Sequence, residues 1–106
     1  MDHRVQLAIS AIEEKPSLVR MDIIAKQANI SVSRLRHQFK NETGLSVSQY
    51  IKQVRLEKAE RLLRTSFLSV KEIGNAVGIT SHFSREFRKH HGMVPTKYRL
   101  DSWGYL

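Results

Sequence analysis

A chain of 106 residues with 18 Lys and Arg against 10 Asp and Glu carries a formal net charge of +8, which predicts a polyanionic partner, either nucleic acid or an anionic membrane surface. The length suits one domain with a modest core, and the absence of cysteine excludes disulfide and thiolate chemistry. Because it has no signal-peptide h-region and no apolar run of about 18 residues, we expect a soluble cytoplasmic protein.

The chain opens with an amphipathic helix. Asp2 is placed to cap its start, and Pro16 ends it after Glu14. One face should pack on the core and cover it. This face carries Val5, Ala8, Ile9 and Ile12.

A helix-turn-helix pattern follows. A short apolar helix that includes Ile24 and Ala25 ends at Asn29, and Asn is the residue besides glycine that best tolerates a left-handed turn. Ser31 then caps a second helix, from about Val32 to Glu42. A helix, a tight turn and a capped helix predict this motif.

The second helix leaves a basic surface outside. Leu35 and Phe39 lie four residues apart and must both face inward. An ordinary solvated face would also be polar, but it usually mixes signs, as residues 57–64 do with two Glu–Arg pairs. No acid stands among the five outward residues, which are Ser33, Arg34, Arg36, His37 and Lys40.

A long helix is predicted between Ser46 and Arg64. Ser46 and Gln49 are spaced as a capping box, and apolar residues recur at helical spacing through the stretch. At 1.5 Å per residue the helix spans roughly 27 Å, enough to hold two like units at a fixed separation.

A second copy of the first motif follows this helix. It has a capping box at Ser69 and Glu72, a short helix around Gly74 and a turn at Gly78. A glycine inside a helix costs about 1 kcal/mol relative to alanine. Gly74 therefore predicts two helices that cross too closely for a side chain.

Thr80 or Ser81 is expected to cap the next helix, at about residues 81–90, with Phe83 and Phe87 facing inward. Its outward residues are Ser81, His82, Arg85, Arg88 and Lys89.

The chain ends in a short helix and an aromatic tail. Pro95 is placed to start the helix, which should run through Leu100. The tail, residues 103–106, is expected to fold back on the core. Adjacent His90 and His91 are expected to be solvated or to face phosphate.

The two halves repeat with an offset of 48 residues. The matching pairs are Ser33 and Ser81, Leu35 and Phe83, Phe39 and Phe87, Gly44 and Gly92, and Tyr50 and Tyr98.

The chain resembles the AraC/XylS family of bacterial transcriptional regulators over about residues 20–99. The resemblance is carried by Phe39-Lys40-Asn41-Glu42-Thr43-Gly44, Arg55-Leu56, Ala76-Val77-Gly78, Ser81-His82-Phe83-Ser84-Arg85-Glu86-Phe87 and Tyr98-Arg99. It implies an all-α fold of seven helices, with two helix-turn-helix subdomains, about residues 2–45 and 66–106, joined by a linker helix at about 46–65. It also implies that the helices at about 32–42 and 81–90 enter successive major grooves of promoter DNA.

The resemblance assigns roles to particular side chains. Base-reading positions match Ser33, Arg36, His37, Ser81, His82 and Arg85. Phosphate-contacting positions match Lys40 and Arg88, to which we add the outward Arg34 and Lys89. Because arginine pairs with guanine through two hydrogen bonds, Arg36 and Arg85 should discriminate most strongly, by about 1 to 3 kcal/mol each.

The second unit is one residue shorter than the first. Five steps separate Gly78 from Phe83, whereas six separate Asn29 from Leu35, and the family has about two more at this place in its second unit. We therefore expect a shortened turn before the helix at about residues 81–90. The shorter turn should change the positions of Ser81 and His82, which lie next to it, more than those of residues further along the helix.

Three other classes explain less. A membrane-surface or anion-binding helical module accounts for the charge but not for the repeat, and a protein-interaction domain leaves the acid-free faces unexplained. RNA readers stack bases on exposed aromatics, which here fall at inward positions.

An enzyme is not expected, since adjacent histidines on a helix point about 100° apart and no nucleophile has an assignable base. We predict double-stranded DNA as partner, a monomeric domain, no metal and no cofactor, and leave contact with RNA polymerase open.

Overall fold

The structure, a computed structural model, describes residues 1–105. These residues form seven α-helices and one short 3-10 turn, which confirms the predicted all-α class with seven helices. The elements are α1 (His3–Glu14), the 3-10 turn (Pro16–Leu18), α2 (Met21–Gln27), α3 (Val32–Thr43), α4 (Val47–Thr65), α5 (Val70–Ala76), α6 (Phe83–His91) and α7 (Pro95–Ser102).

The chain forms two compact units that divide within α4. Unit 1 is Met1–Val54, and unit 2 takes the described chain from Arg55 onward. Each unit has its own cluster of buried apolar side chains.

Unit 1 packs α1, α2 and α3 with the first half of α4. As predicted, Asp2 caps α1, because its carboxylate accepts a hydrogen bond from the Arg4 backbone N–H at 2.7 Å. The predicted capping box of α4 is also present: Ser46 N–H donates to Gln49 Oε1 at 2.9 Å, and Gln49 N–H donates to Ser46 Oγ at 3.1 Å. The core residues are Val5, Ala8, Ile12, Met21, Ile24, Ala25, Leu35, Phe39, Val47 and Val54.

Unit 2 packs the second half of α4 against α5, α6 and α7. The Arg99 guanidinium joins α7 to the end of α4 by donating to the carbonyl oxygens of Leu63 at 3.0 Å and Ser66 at 3.2 Å. The core residues are Leu56, Ala59, Leu63, Ile73, Val77, Phe83 and Phe87.

The aromatic tail folds back only in part. Trp103 Nε1 donates to the Arg64 carbonyl oxygen at 2.9 Å, and the Trp103 ring lies edge-on to Phe67, with centroids 5.7 Å apart. Tyr105 is 73% exposed, so the expectation of a covering tail is wrong for this residue. Leu106 lies outside the described residues.

Of the two Glu–Arg pairs expected along α4, the pair of Glu60 and Arg64 is replaced by other contacts. Glu60 faces the histidines at the end of α6, and Arg64 donates to the Tyr98 hydroxyl at 2.7 Å. Between residues 1 and 105, no helix combines the length and the apolar character that a membrane span requires.

Candidate nucleic-acid interface

The first helix-turn-helix forms as its turn residues predict. Asn29 has a φ of 63°, in the left-handed region, and the Ile30 N–H closes the turn on the Ala25 carbonyl at 3.0 Å. Ser31 then caps α3, with its hydroxyl accepting from the Arg34 N–H at 3.1 Å. The start of α2 lacks a side-chain cap at Arg20.

α3 is held by a buried side and presents a basic surface. Leu35 and Phe39 are fully buried, and this sets the rotation of the helix. The single acid of α3, Glu42, accepts a hydrogen bond from the Asp2 backbone N–H at 2.7 Å. All five outward residues predicted for this helix are exposed: Ser33, Arg34, Arg36, His37 and Lys40.

One exposed contact on α3 joins His37, a predicted base reader, to Asn41, for which the sequence predicted no role. Asn41 lies four positions after His37, and its amide Nδ2 is 3.2 Å from the imidazole Nε2. Residues four apart are neighbours on a helix surface, so the spacing alone was a usable signal.

The second turn reproduces the first. Gly78 has a φ of 84°, and the Ile79 N–H donates to the Gly74 carbonyl at 2.8 Å. A Cβ added to Gly74 would lie 2.9 Å from the Ile79 carbonyl oxygen and 3.2 Å from Phe83 Cβ. The predicted close crossing is confirmed, since the backbone of the turn and the first residue of α6 occupy the space that a side chain would need.

The start of α6 differs from the prediction. The helix begins at Phe83 instead of residue 81, and His82 precedes it in the left-handed region, with a φ of 59° and no side-chain cap. The expectation that Thr80 or Ser81 caps α6 is therefore wrong. The shorter connection must still bring Phe83 into the core, and a left-handed residue turns the chain within that length. Histidine is among the non-glycine residues enriched in this conformation.

The late start of α6 changes where two predicted base readers lie. Ser81 and His82 are exposed but precede the helix instead of lying on it. Ser84 is the second residue of α6. It is exposed and stands 48 positions after Arg36. The repeat offset was the signal that would have identified Ser84. The predicted residues that do lie on α6, and are exposed, are Arg85, Arg88 and Lys89.

The end of α6 contacts the interior of unit 2. The Nε2 atoms of His90 and His91 are 3.6 Å and 3.8 Å from Glu60 Oε1. The His91 ring stacks on Phe87 with centroids 5.4 Å apart and meets Tyr98 edge-on at 4.4 Å. The expectation that both histidines are solvated or face phosphate is therefore wrong for His91, whose Nδ1 is buried.

Two carboxylates at helix starts have local partners that hold them charged. Hydrogen bonds from the Ser69 backbone and side chain keep the pKa of Glu72 below its usual value, and both halves of the predicted capping box are present. The Arg20 side chain lowers the pKa of Asp22 by direct hydrogen bonding.

Among residues 1–105, no group of three or more His, Cys, Asp or Glu side chains is placed to hold a metal ion.

A family model described as a helix-turn-helix domain matches residues 24–101. The chain is 40% identical over 87 residues to the Msm operon regulatory protein of Streptococcus mutans serotype c, an alignment that covers 80% of this chain and 31% of that protein. The chain spans about a third of the length of the curated relatives it matches.

Solved structures share the fold. A transcriptional regulator with an AraC-type DNA-binding domain from Chromobacterium violaceum superposes with a TM-score of 0.85 at 29% identity, covering 95% of this chain and 93% of that one. The DNA-binding domain of AdpA, a global transcriptional factor solved in complex with a target DNA, gives a TM-score of 0.79 at 26% identity, with coverage of 95% and 93%.

Proposed function

Because the chain belongs to the AraC-type family of helix-turn-helix domains, we propose that it binds a specific double-stranded DNA site and regulates transcription from a bacterial promoter. The DNA complex of the similar AdpA domain supports the partner. We place this action in the bacterial cytoplasm, where the chromosome lies.

The observation that carries the proposal is the exposed surface of α3. Its five outward side chains include three permanent cations and no acid, while Leu35 and Phe39 fix the opposite side in the core. The major groove is about 12 Å wide and admits one α-helix. A helix with this surface can therefore lie in the groove, with cations toward the phosphates on either side.

In unit 1 we assign base reading to Ser33, Arg36 and His37, and phosphate contact to Arg34 and Lys40. The guanidinium of Arg36 suits guanine O6 and N7, which accept two parallel hydrogen bonds. Lys40 is a flexible point charge, which adds affinity with little sequence preference.

In unit 2 we assign base reading chiefly to Arg85, with Ser84 beside it on the first turn of α6. Ser81 and His82 reach the DNA from the loop before the helix. Phosphate contact is assigned to two exposed cations further along α6, Arg88 and Lys89.

We further propose that one chain contacts two successive major grooves, which lie about 34 Å apart on one side of B-DNA. A monomer with two different recognition helices would read an asymmetric site of about two helical turns. Contact with RNA polymerase is a separate part of this proposal, and retention of the polymerase on a promoter-bound complex tests it.

Selection of bound duplexes from a random pool tests the assignment. Arg36→Ala should relax the sequence preference in one half of the site and Arg85→Ala in the other, each by about 1 to 3 kcal/mol at one base pair. Lys97→Ala removes the same charge from α7, where Lys97 pairs with Asp101 at 3.2 Å, and should leave the selected motif unchanged. Identical motifs from all three variants would contradict the base-reading roles.

Salt dependence tests the mode of binding. Contact with about six to eight phosphates predicts a log–log slope of affinity against salt of about −5 to −7. A slope near zero, or equal binding to single strands, would contradict duplex recognition and favour a helical module that binds proteins or anions without reading sequence.

A further inference from the structure

We infer that Asn41 is a positioning residue that fixes which imidazole nitrogen of His37 carries the proton, and so fixes which bases α3 accepts at that position. The inference rests on the proposed function, since it concerns how a DNA-reading side chain is set. It gives a role to Asn41, which is not among the base-reading or phosphate-contacting residues assigned above.

The chemistry of the contact decides the tautomer. A side-chain amide nitrogen carries two N–H donors and no acceptor, and in a neutral imidazole one nitrogen donates while the other accepts. Asn41 Nδ2 lies 3.2 Å from His37 Nε2, within hydrogen-bond range. The Nε2 atom must therefore be the acceptor, which leaves the proton on Nδ1.

This tautomer determines what the DNA meets. With Nε2 engaged by Asn41, the free polar atom of the His37 ring is the Nδ1–H group, a donor. In the major groove, guanine offers N7 and O6 as acceptors, adenine offers N7 and thymine offers O4, whereas cytosine offers only its N4 donor. His37 set in this way accepts guanine, adenine or thymine and rejects cytosine.

DNA binding should strengthen the contact. Both side chains are exposed in the free protein, where water competes for the same atoms. Once the helix lies in the groove and water is displaced, the hydrogen bond acts in a medium of lower dielectric and becomes stronger. Asn41 then holds the His37 ring in place, while Arg36 and Lys40 make the contacts already assigned to them.

The free protein provides the first test. Long-range ¹H–¹⁵N correlation spectra report the protonated nitrogen of each histidine, recorded at about pH 8.5, above the ordinary histidine pKa. We expect the Nδ1–H form for His37 in the wild type and a mixture in Asn41→Ala. Asn75→Ala, an exposed asparagine of α5, is the matched control and should leave the His37 signals unchanged. An Nε2–H form of His37 in the wild type would overturn the inference.

DNA binding provides the second test. His37→Ala first identifies the base pair whose preference relaxes. At that pair the wild type should bind cytosine about 3- to 10-fold more weakly than the other bases, as expected for one hydrogen bond gained or lost. Asn41→Ala should reduce this ratio toward one. It should have no further effect on the ratio when combined with His37→Ala.

Asn41→Asp gives the sharpest outcome. A carboxylate only accepts, so it should draw the proton to Nε2 and leave Nδ1 as an acceptor. The added negative charge weakens binding to every sequence, but the preference at the His37 position should turn toward cytosine or adenine, whose amino groups donate. An unchanged preference in Asn41→Asp would overturn the inference.

The same variants distinguish a failure of the proposed function of α3 from a failure of the role of Asn41. If Arg36→Ala and His37→Ala both leave the selected motif unchanged, the proposed function of α3 fails. If those variants relax their positions and Asn41→Ala does not, the role of Asn41 alone fails.

Discussion

Gly74→Ala is expected to destabilise unit 2, although alanine is the better helix former. In an open helix the change would stabilise by about 1 kcal/mol. Here the new Cβ would lie 2.9 Å from the Ile79 carbonyl oxygen and 3.2 Å from both Cβ and Cγ of Phe83. The nearest atom is the backbone oxygen of Ile79 in the turn and the next two belong to Phe83, so both the turn and the start of α6 have to move away from α5. Overpacking of this kind costs about 1 to 3 kcal/mol, and the rigid backbone contact puts Gly74 in the upper half of that range.

The net loss in the free energy of unfolding should be about 1 to 2 kcal/mol. Trp103 is the chain's one tryptophan and lies in unit 2, so its fluorescence during urea unfolding follows that unit, and the midpoint and slope give the free energy. Because α6 must shift, DNA affinity should fall as well, even though no proposed DNA contact is altered.

Asn75→Ala is the matched control for Gly74→Ala. It adds the same residue at the next position of α5, where the side chain is exposed, and should stabilise by about half a kcal/mol or less. If Gly74→Ala stabilised unit 2 as Asn75→Ala does, the close approach of α5 and α6 inferred from the structure would be refuted.

Two further predictions concern charged side chains. Hydrogen bonds from Arg4 lower the pKa of Asp2 from 3.8 to about 2, so its stabilisation of α1 is fully present above about pH 4 and is lost as pH falls through about 2. Carboxyl ¹³C shifts should titrate accordingly, and a midpoint near 3.8 would contradict the cap. The Arg99 guanidinium donates from two different nitrogens to the carbonyl oxygens of Leu63 and Ser66, and Arg99→Lys replaces this fork with one ammonium nitrogen. The change should cost unit 2 about 1 to 2 kcal/mol, measured by Trp103 fluorescence, and no change would mean that one nitrogen can serve both carbonyls.

Local chemistry explains why so much of the fold was predictable. Caps and left-handed turn residues act within four positions of themselves, so Ser31, Asn29 and Gly78 identify their turns from sequence alone. The buried pair Leu35 and Phe39 is also a local signal, because helical spacing assigns them to one side. From that assignment, the exposed surface of α3 followed by elimination.

The start of α6 was not predictable in the same way. Ser81 is a favourable capping residue by type, and a local rule has no reason to reject it. What excludes it is tertiary: Phe83 must reach the core five positions after Gly78, and His82 takes a left-handed conformation to allow this. The contact between Glu60 and His91 is likewise tertiary, because it joins α4 to the end of α6.

The hydrogen bonds of the two turns show where the second unit is one residue shorter than the first. The bond from Ile30 to Ala25 and the bond from Ile79 to Gly74 are related by an offset of 49, whereas Leu35 and Phe83 are related by 48. The deletion therefore lies between Ile79 and Phe83, after the turn is closed and before the helix begins.

This deletion makes the two recognition helices unequal. α3 has 12 residues and α6 has 9, and both end directly before a matching left-handed glycine, so the three residues that α6 lacks all come from its start. In α3 those three positions include Ser33 and Arg34. Because residues at the start of a recognition helix make many of its base contacts, unit 2 should read fewer base pairs than unit 1. The asymmetry expected in the DNA site then follows from one deleted residue and from the constraint that Phe83 remains in the core.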